Sequence, residues 1–480
     1  MPIGIVFASE LKALIKHPGL NREIDIHNLS RYLLYEYVPA PHTIFKGVKK
    51  VFPGHFLKWK DGEIDLAPYW QIQFNGDAPI RSLSFHDLER QLIYLLKQSI
   101  ERRLMSDVPL GVFLSGGVDS SAIVALMSEL IPPEHIKTFS IGFEENSFDE
   151  STYAEAVARR FKTDHHRQTI TSSKLIEILP EVWNFLDEPF ADASIIPTYL
   201  LSKFTQRFVT VALGGDGGDE LFAGYDPFLA HIFAEYYEKI PESIHNKVVK
   251  PLVQMIPVST TNMSIDFKLK QFFKGIPYGY LLRNQVWLGA FSTEEQTDFL
   301  SQDIACILNG FDPLVDIRAA LQEAATRDRI DEMILLYSRF YLGEGILTKV
   351  DRASMATSLE VRSPFLDVKF AEFVNNLPSI LKLRRLNRKY ILKKSFESRL
   401  PKDILYRGKK GFGVPLAEWF KKELKEFLLD ILSPSRLNRD GIFNPKAIVN
   451  LLNDHFNGEK DNRKQIWTLF MFEMWKENFR

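Results

Sequence analysis

The chain has 480 residues, 45% of them apolar, and its 60 basic and 61 acidic side chains leave a formal net charge of −1. That length suggests about three domains with sizeable cores, and the mixed charge gives no electrostatic footprint for nucleic acid or an anionic membrane. A single cysteine, Cys306, excludes intrachain disulfides and cysteine-based metal clusters; no apolar run reaches the ~18 residues of a membrane span.

The opening Met1-Pro2-Ile3-Gly4 lacks a basic-then-apolar signal pattern, so a cytoplasmic location is expected. Residues 3–8 read as a short apolar strand, followed by a helix over 10–16 capped by Ser9. After the Pro-rich turn Val38-Pro39-Ala40-Pro41, two strand-like runs at 54–59 and 63–66 flank Lys60-Asp61-Gly62, a hairpin signal. The polar stretch 75–84 reads as a linker, placing a boundary near residue 76.

From Phe85 onward helices alternate with short apolar strands, the pattern of a parallel sheet covered on both faces. The expected order is a helix over 84–105, a strand at 108–114, a helix over 121–130, and a strand at 138–143. A helix ending at Phe161, a strand at 167–171, a long helical region and a strand at 208–213 follow. Beyond about Tyr225 the periodicity is mainly helical. The expected division is therefore 1–75, then 76–480, the latter split into an α/β core over 85–225 and a mainly helical part over 226–480. His165 and His166 lie just before a predicted strand and read as structural residues. Cys306, beside Ile304, Ala305 and Ile307, reads as core.

Two glycine-rich loops follow apolar strands. Ser115-Gly116-Gly117-Val118-Asp119-Ser120-Ser121 has the parts of a pyrophosphate cradle. Gly116 and Gly117 let the backbone approach an anion, Ser115, Ser120 and Ser121 donate hydroxyls, the next helix offers its N-terminus, and Asp119 can hold magnesium. No lysine follows the second glycine, so it is not a Walker A loop. The second loop, Leu213-Gly214-Gly215-Asp216-Gly217-Gly218-Asp219-Glu220, supplies the opposite wall. Gly214 and Gly215 offer backbone donors, and Asp219 or Asp216 can bind a metal that neutralises departing pyrophosphate. Leu114 and Ile141, at strand ends, would line the nucleotide. On residue types alone, an ordinary strand-to-helix turn and an acidic calcium-binding loop remain alternatives.

The first loop resembles the PP-loop ATP pyrophosphatase signature, and the second, extended through Tyr225, resembles the asparagine synthetase family in particular. Three further stretches extend the likeness. One is Asp187-Glu188-Pro189-Phe190-Ala191-Asp192-Ala193-Ser194; another is Lys349-Val350-Asp351-Arg352 with Glu360-Val361-Arg362-Ser363-Pro364-Phe365-Leu366-Asp367. The third is the basic loop Tyr406-Arg407-Gly408-Lys409-Lys410-Gly411-Phe412-Gly413, and Trp467, Trp475 and Phe479 close the pattern.

The resemblance implies a PP-loop α/β sheet (adenine nucleotide α-hydrolase-like) with an added helical region, preceded by a remnant of an N-terminal amidotransferase domain. It also implies ATP and Mg2+, with Asp119 and Asp219 on the metal, and catalytic roles for Lys409, Glu360 and Asp216. Lys409, with Lys410 as fallback, would stabilise charge at the α-phosphate in a loop over 406–415 that closes as a lid. Asp192 and Ser194 would meet the acid substrate. The implied reaction joins aspartate and ammonia, drawn from glutamine in intact members, to give asparagine, AMP and diphosphate through β-aspartyl-AMP. A homodimer and a separate glutaminase subunit are expected partners, and nucleic acid and membrane are not. A β-lactam-synthetase-like or peptide-modifying cyclase and a non-catalytic amidotransferase partner are the alternatives.

Two departures qualify the likeness. Glutamine-hydrolysing members begin with a cysteine nucleophile, whereas this chain opens near Gly4 on what resembles the last strand and helix of that domain. Cys306 is internal and cannot serve, so ammonia from outside is expected. Many aspartate-using members also carry an arginine where this chain has Phe190-Ala191-Asp192-Ala193, and Asp192 has the wrong charge to pair with a substrate carboxylate.

Overall fold

In the computed structural model, which describes residues 4–74, 80, 82–145, 147–324, 326, 328–408 and 411–479, the N-terminal segment forms helix α1 (Ile26–Tyr35). The Asp25 carboxylate starts it by accepting from the His27 and Asn28 amides. Residues 4–8 form no strand and Phe7 is exposed, because they find no ladder partner among the described residues. The next helix is only Leu11–Leu14, with Glu10 rather than Ser9 at its start and no side-chain cap. The predicted hairpin forms from β1 (His55–Lys60) and β2 (Glu63–Pro68), antiparallel and in register from His55↔Pro68 to Lys60↔Glu63. Asp61 and Gly62 both have positive φ, the conformation a two-residue turn requires. The expected boundary near residue 76 lies outside the described residues.

Helix α2 (Phe85–Leu104) begins where Ser84 accepts from the Asp87 amide. It leads into a five-stranded, all-parallel sheet of β3 (Leu110–Phe113), β4 (Lys137–Phe143), β5 (Asp164–Ile170), β6 (Val211–Leu213) and β7 (Glu360–Arg362), in spatial order β5-β4-β3-β6-β7. The α/β expectation holds, with one strand more than the periodicity revealed. The added strand is residues 360–362, and three residues carry too little alternation to reveal a strand. The chain runs outward from β3 to β4 and β5, then returns to the other side of β3 for β6. The carboxyl ends of β3 and β6 therefore flank a topological switch point, where open α/β sheets bind ligands.

Strand alternation places the sheet's side chains in two of the apolar clusters of the interior. Val112, Leu114 and Leu213 join Leu92 and Leu96 of α2 in one, and Phe139, Ile141 and Ala212 belong to the other. Helix α3 (Val118–Met127) follows β3 directly. The chain beyond Tyr225 is mainly helical, as expected, and includes α4 (Thr348–Met355), α5 (Tyr390–Ser395) and the closing α6 (Arg463–Asn478). Of two local readings, one holds and one changes. His165 and His166 lie inside β5; His165 bonds the Thr138 and Ser140 hydroxyls and His166 stacks on Phe139, so both are structural. Cys306 is exposed, not core. In its short helix, Gln302–Ile307, the inward residue is Ile304, and a residue two positions later lies on the opposite side.

The N-terminal segment is built into the same interior. Leu29, Tyr32 and Leu33 share a cluster with Trp467, Phe470 and Phe472, and the Tyr32 hydroxyl donates to the Thr468 carbonyl at 2.8 Å. Asp187 accepts from the Leu11 amide at 2.8 Å, while Glu188 accepts from the Ile44 amide and pairs with Lys50, both at 2.7 Å. Backbones touch where Gly289 meets α1, since a Cβ there would overlap the Leu34 carbonyl oxygen. Gly289→Ala is therefore expected to cost about 1–3 kcal/mol and to raise amide hydrogen exchange over residues 26–45. Unchanged protection in that segment would contradict this packing.

Candidate active site

Both glycine-rich loops open onto one cavity of about 800 Å³ at the carboxyl ends of β3 and β6. Its first wall is the turn from β3 into α3. Gly116 has φ 69°, and a Cβ there would lie 2.5 Å from Tyr153, so only glycine makes the turn. Gly117 stands at the N-cap of α3 with no side-chain cap, which leaves the first amides of a ten-residue helix to an outside acceptor. The Ser115 and Ser120 hydroxyls lie 3.2 Å apart at that helix start. Leu114, Ser115, Gly117, Asp119, Ser120 and Ile141 line the cavity. Ser121 does not; it is fully buried beneath the helix.

The second wall is the turn after β6. Gly214, Gly215, Asp216 and Asp219 line the cavity, and Gly215 and Gly218 let this loop close on the first: a Cβ at Gly218 would lie 2.5 Å from Asp119. Between the loops sits Lys389, which sequence reasoning missed. Its Nζ lies 2.5 Å from Asp119 Oδ2 and 2.7 Å from Asp219 Oδ1. Lys389 has φ 55° at the start of α5, and Gly224 clears its path, since a Cβ there would strike the lysine stem. Burial disfavours the Lys389 ammonium, yet the two carboxylates override it and raise its pKa. One turn on, Lys393 also lines the cavity; burial, with Arg388 and Lys389 nearby, pushes its pKa down to about 8. The only sequence signal was the basic run from Arg384 to Lys394, which reads as a solvated face.

The site fits a magnesium nucleotide. Asp119 and Asp219 already converge on one cation, and a divalent ion could take two ligands from them. Among the described residues no group of three or more His, Cys, Asp or Glu could hold a metal. The remaining ligands would be phosphate oxygens and water, the usual way magnesium is held.

Asp216 is raised above the ordinary carboxyl range, first by burial and further by Asp119 and Asp219, with Lys349 opposing. Lys349, on α4, answers the charge of Asp192. Its Nζ donates to Asp192 Oδ2 at 2.9 Å and to Ser194 Oγ at 2.7 Å. Ser194 donates its amide and hydroxyl to Asp192 Oδ1. Burial opposes ionisation of Asp192, but Lys349 and Ser194 keep its pKa below normal. A cation from a different segment of the chain thus stands beside Asp192.

One expected catalytic residue, Glu360, is not brought to the cavity. Glu360 opens β7 at the amino end of the sheet, opposite the ligand side; it is 56% exposed and pairs with Arg362 at 2.6 Å. Lys409 and Lys410 lie outside the described residues. Their neighbour Arg407 lines the cavity and pairs with Glu150 at 2.5 Å.

Residues 91–477 match the family described as asparagine synthase, and residues 2–70 match a glutamine amidotransferase domain. The asparagine synthetase [glutamine-hydrolyzing] 1 of Bacillus subtilis (strain 168) is 31% identical over 98% of this chain and 71% of its own length. A putative asparagine synthetase [glutamine-hydrolyzing] of Mycobacterium tuberculosis is 29% identical over 99% of this chain and 71% of its own. The amidase chyE of Penicillium rubens is 25% identical over 86% and 65%. With a family match across most of its length, two glycine-rich loops meeting at the switch point and a relative above 30% identity, this chain belongs to the asparagine synthase family.

Proposed function

We propose that this protein is an ATP-dependent, carbon–nitrogen bond-forming ligase of the cytoplasm that adenylates the β-carboxylate of aspartate and transfers ammonia to it, giving asparagine, AMP and diphosphate. The observation that carries the reading is the closure of the two glycine-rich loops around Asp119, Lys389 and Asp219 at the free start of α3. A cradle with no side-chain cap and two carboxylates set for a cation suits cleavage that expels pyrophosphate.

Ser115, Ser120 and the first amides of α3 hold the phosphates, and Gly116, Gly117, Gly214 and Gly215 let the backbone approach them. Asp119 and Asp219 would hold magnesium, which would supply positive charge to the departing pyrophosphate. Lys389 then turns from the carboxylates toward phosphate oxygens, joined by Lys393 and by Lys409 of the basic loop. Lys349, positioned by Asp192 and Ser194, draws the acid substrate toward the α-phosphate, and Asp216 keeps the approach between them polar. The carboxylate oxygen attacks the α-phosphorus, and the acyl-adenylate yields to ammonia, which loses a proton as the amide forms.

Three outcomes follow from these roles. Wild-type protein with MgATP, aspartate and an ammonium salt is expected to form asparagine, AMP and diphosphate in equal amounts by chromatography; ADP in place of AMP would contradict the reading. Asp119→Asn is expected to lower diphosphate release by about 10²-fold or more, the scale of losing a preorganised electrostatic group, with an unaltered circular dichroism spectrum. Lys393 carries charge below about 8 and loses it above. MgATP affinity by calorimetry should therefore fall as pH rises through about 8, and Lys393→Gln should bind more weakly at neutral pH without that fall. An equal fall in the variant would assign the titration elsewhere.

A further inference from the structure

The N-terminal segment contributes Tyr35, Glu36 and Tyr37 to the lining of the same cavity, on elements separate from the two glycine-rich loops. Glu36 is unusual in conformation and environment. It ends α1 with φ 71°, a left-handed geometry that costs a residue with a side chain about 1 kcal/mol or more. Its own carbonyl accepts from the Ala191 amide at 2.8 Å, which fixes it beside Asp192. Its side chain, 13% exposed, pairs with Lys464 at 2.9 Å. Burial pushes the Glu36 carboxyl up to about 7, Lys464 opposes that, and Asp192 adds to it.

Lys464 lies in the first turn of α6, where a cation is disfavoured by the helix dipole and a bound anion would be welcome. Besides Glu36, its Nζ reaches only the Leu288 carbonyl among the described residues, which leaves one N–H unused. The second Glu36 oxygen likewise has no protein donor among them. Two opposite charges, both on the cavity wall and both with unused hydrogen-bonding capacity, cost desolvation energy that packing alone does not require.

We propose that Glu36 and Lys464 form the subsite for the α-amino-acid head of the acid substrate, with the substrate ammonium on Glu36 and its α-carboxylate on Lys464. Glu36 would repel polyphosphate, so this part of the wall suits the nucleotide poorly, while a dicarboxylic acid without an amine would leave Glu36 unanswered. The side-chain carboxylate then extends past Lys349 toward the nucleotide. This inference rests on the reaction proposed above and adds a means of choosing an amino acid over a plain diacid.

The test compares aspartate with succinate, the same diacid without its amine, in wild type, Glu36→Gln and Lys464→Gln, with MgATP and ammonium. Wild type should prefer aspartate over succinate in kcat/KM by about 10–100-fold, the range for a charged hydrogen bond. Glu36→Gln should erase most of that preference by raising the KM for aspartate and not that for ATP. Lys464→Gln should weaken both acids. A preference retained in Glu36→Gln, or no preference in wild type, overturns the subsite while leaving the ligase reading intact. Absence of any asparagine from wild type overturns both. Should Glu36→Gln fail to fold, the wild-type comparison with succinate decides alone.

Discussion

The contact of Asp119 and Asp219 with the buried ammonium of Lys389 is the interaction on which the site depends. Two carboxylates brought this close, with a third from Asp216 nearby, repel one another in a setting that water screens poorly. One fixed cation makes the arrangement stable. Removing Lys389 would leave buried charge uncompensated, a loss of about 3–5 kcal/mol for pairs of this kind. Because the lysine is a counter-ion and not a covalent tie, the proposed reaction would free the same two carboxylates for a metal once phosphate took the ammonium.

Everything larger in the fold serves to place those three groups. The reversal of strand order at β3 brings two loop-bearing strand ends side by side, and the paired apolar clusters clamp the sheet between helices so that neither loop can drift. Lys389 comes from far along the chain, delivered by the left-handed start of α5 through the gap that Gly224 leaves. The N-terminal segment is pinned by Asp187 and Glu188, so that Glu36 arrives on the cavity wall. In the proposed reaction the substrate would pass three ion pairs on the cavity wall, Asp119 with Lys389, Asp192 with Lys349, and Glu36 with Lys464.

Much of this was legible in the sequence because local chemistry dictated it. Glycines needing positive φ or close approach, as at Gly116, and the apolar runs before each loop located the sheet and the two glycine-rich turns directly. What escaped was decided by distance along the chain. Lys389 and Lys393 look like part of an exposed basic run until the fold buries them, and Asp192 reads as the wrong charge until Lys349 is seen beside it. Glu360 illustrates the converse. Its surrounding block was recognisable, but three residues of strand carry no periodicity, and the direction of that strand is what removes the carboxylate from the cavity. Residues 4–8 had strand composition without a neighbour to pair with, and composition alone cannot supply hydrogen-bond partners.

The central claim is that the cavity activates a carboxylate by transferring an adenylyl group to it. Aspartate labelled with heavy oxygen in its β-carboxylate, turned over with MgATP and ammonium, tests this atom by atom by mass spectrometry of the products. Attack on the α-phosphorus carries one labelled oxygen into AMP and leaves the diphosphate unlabelled. Label in inorganic phosphate accompanied by ADP, or AMP without label, would contradict the account.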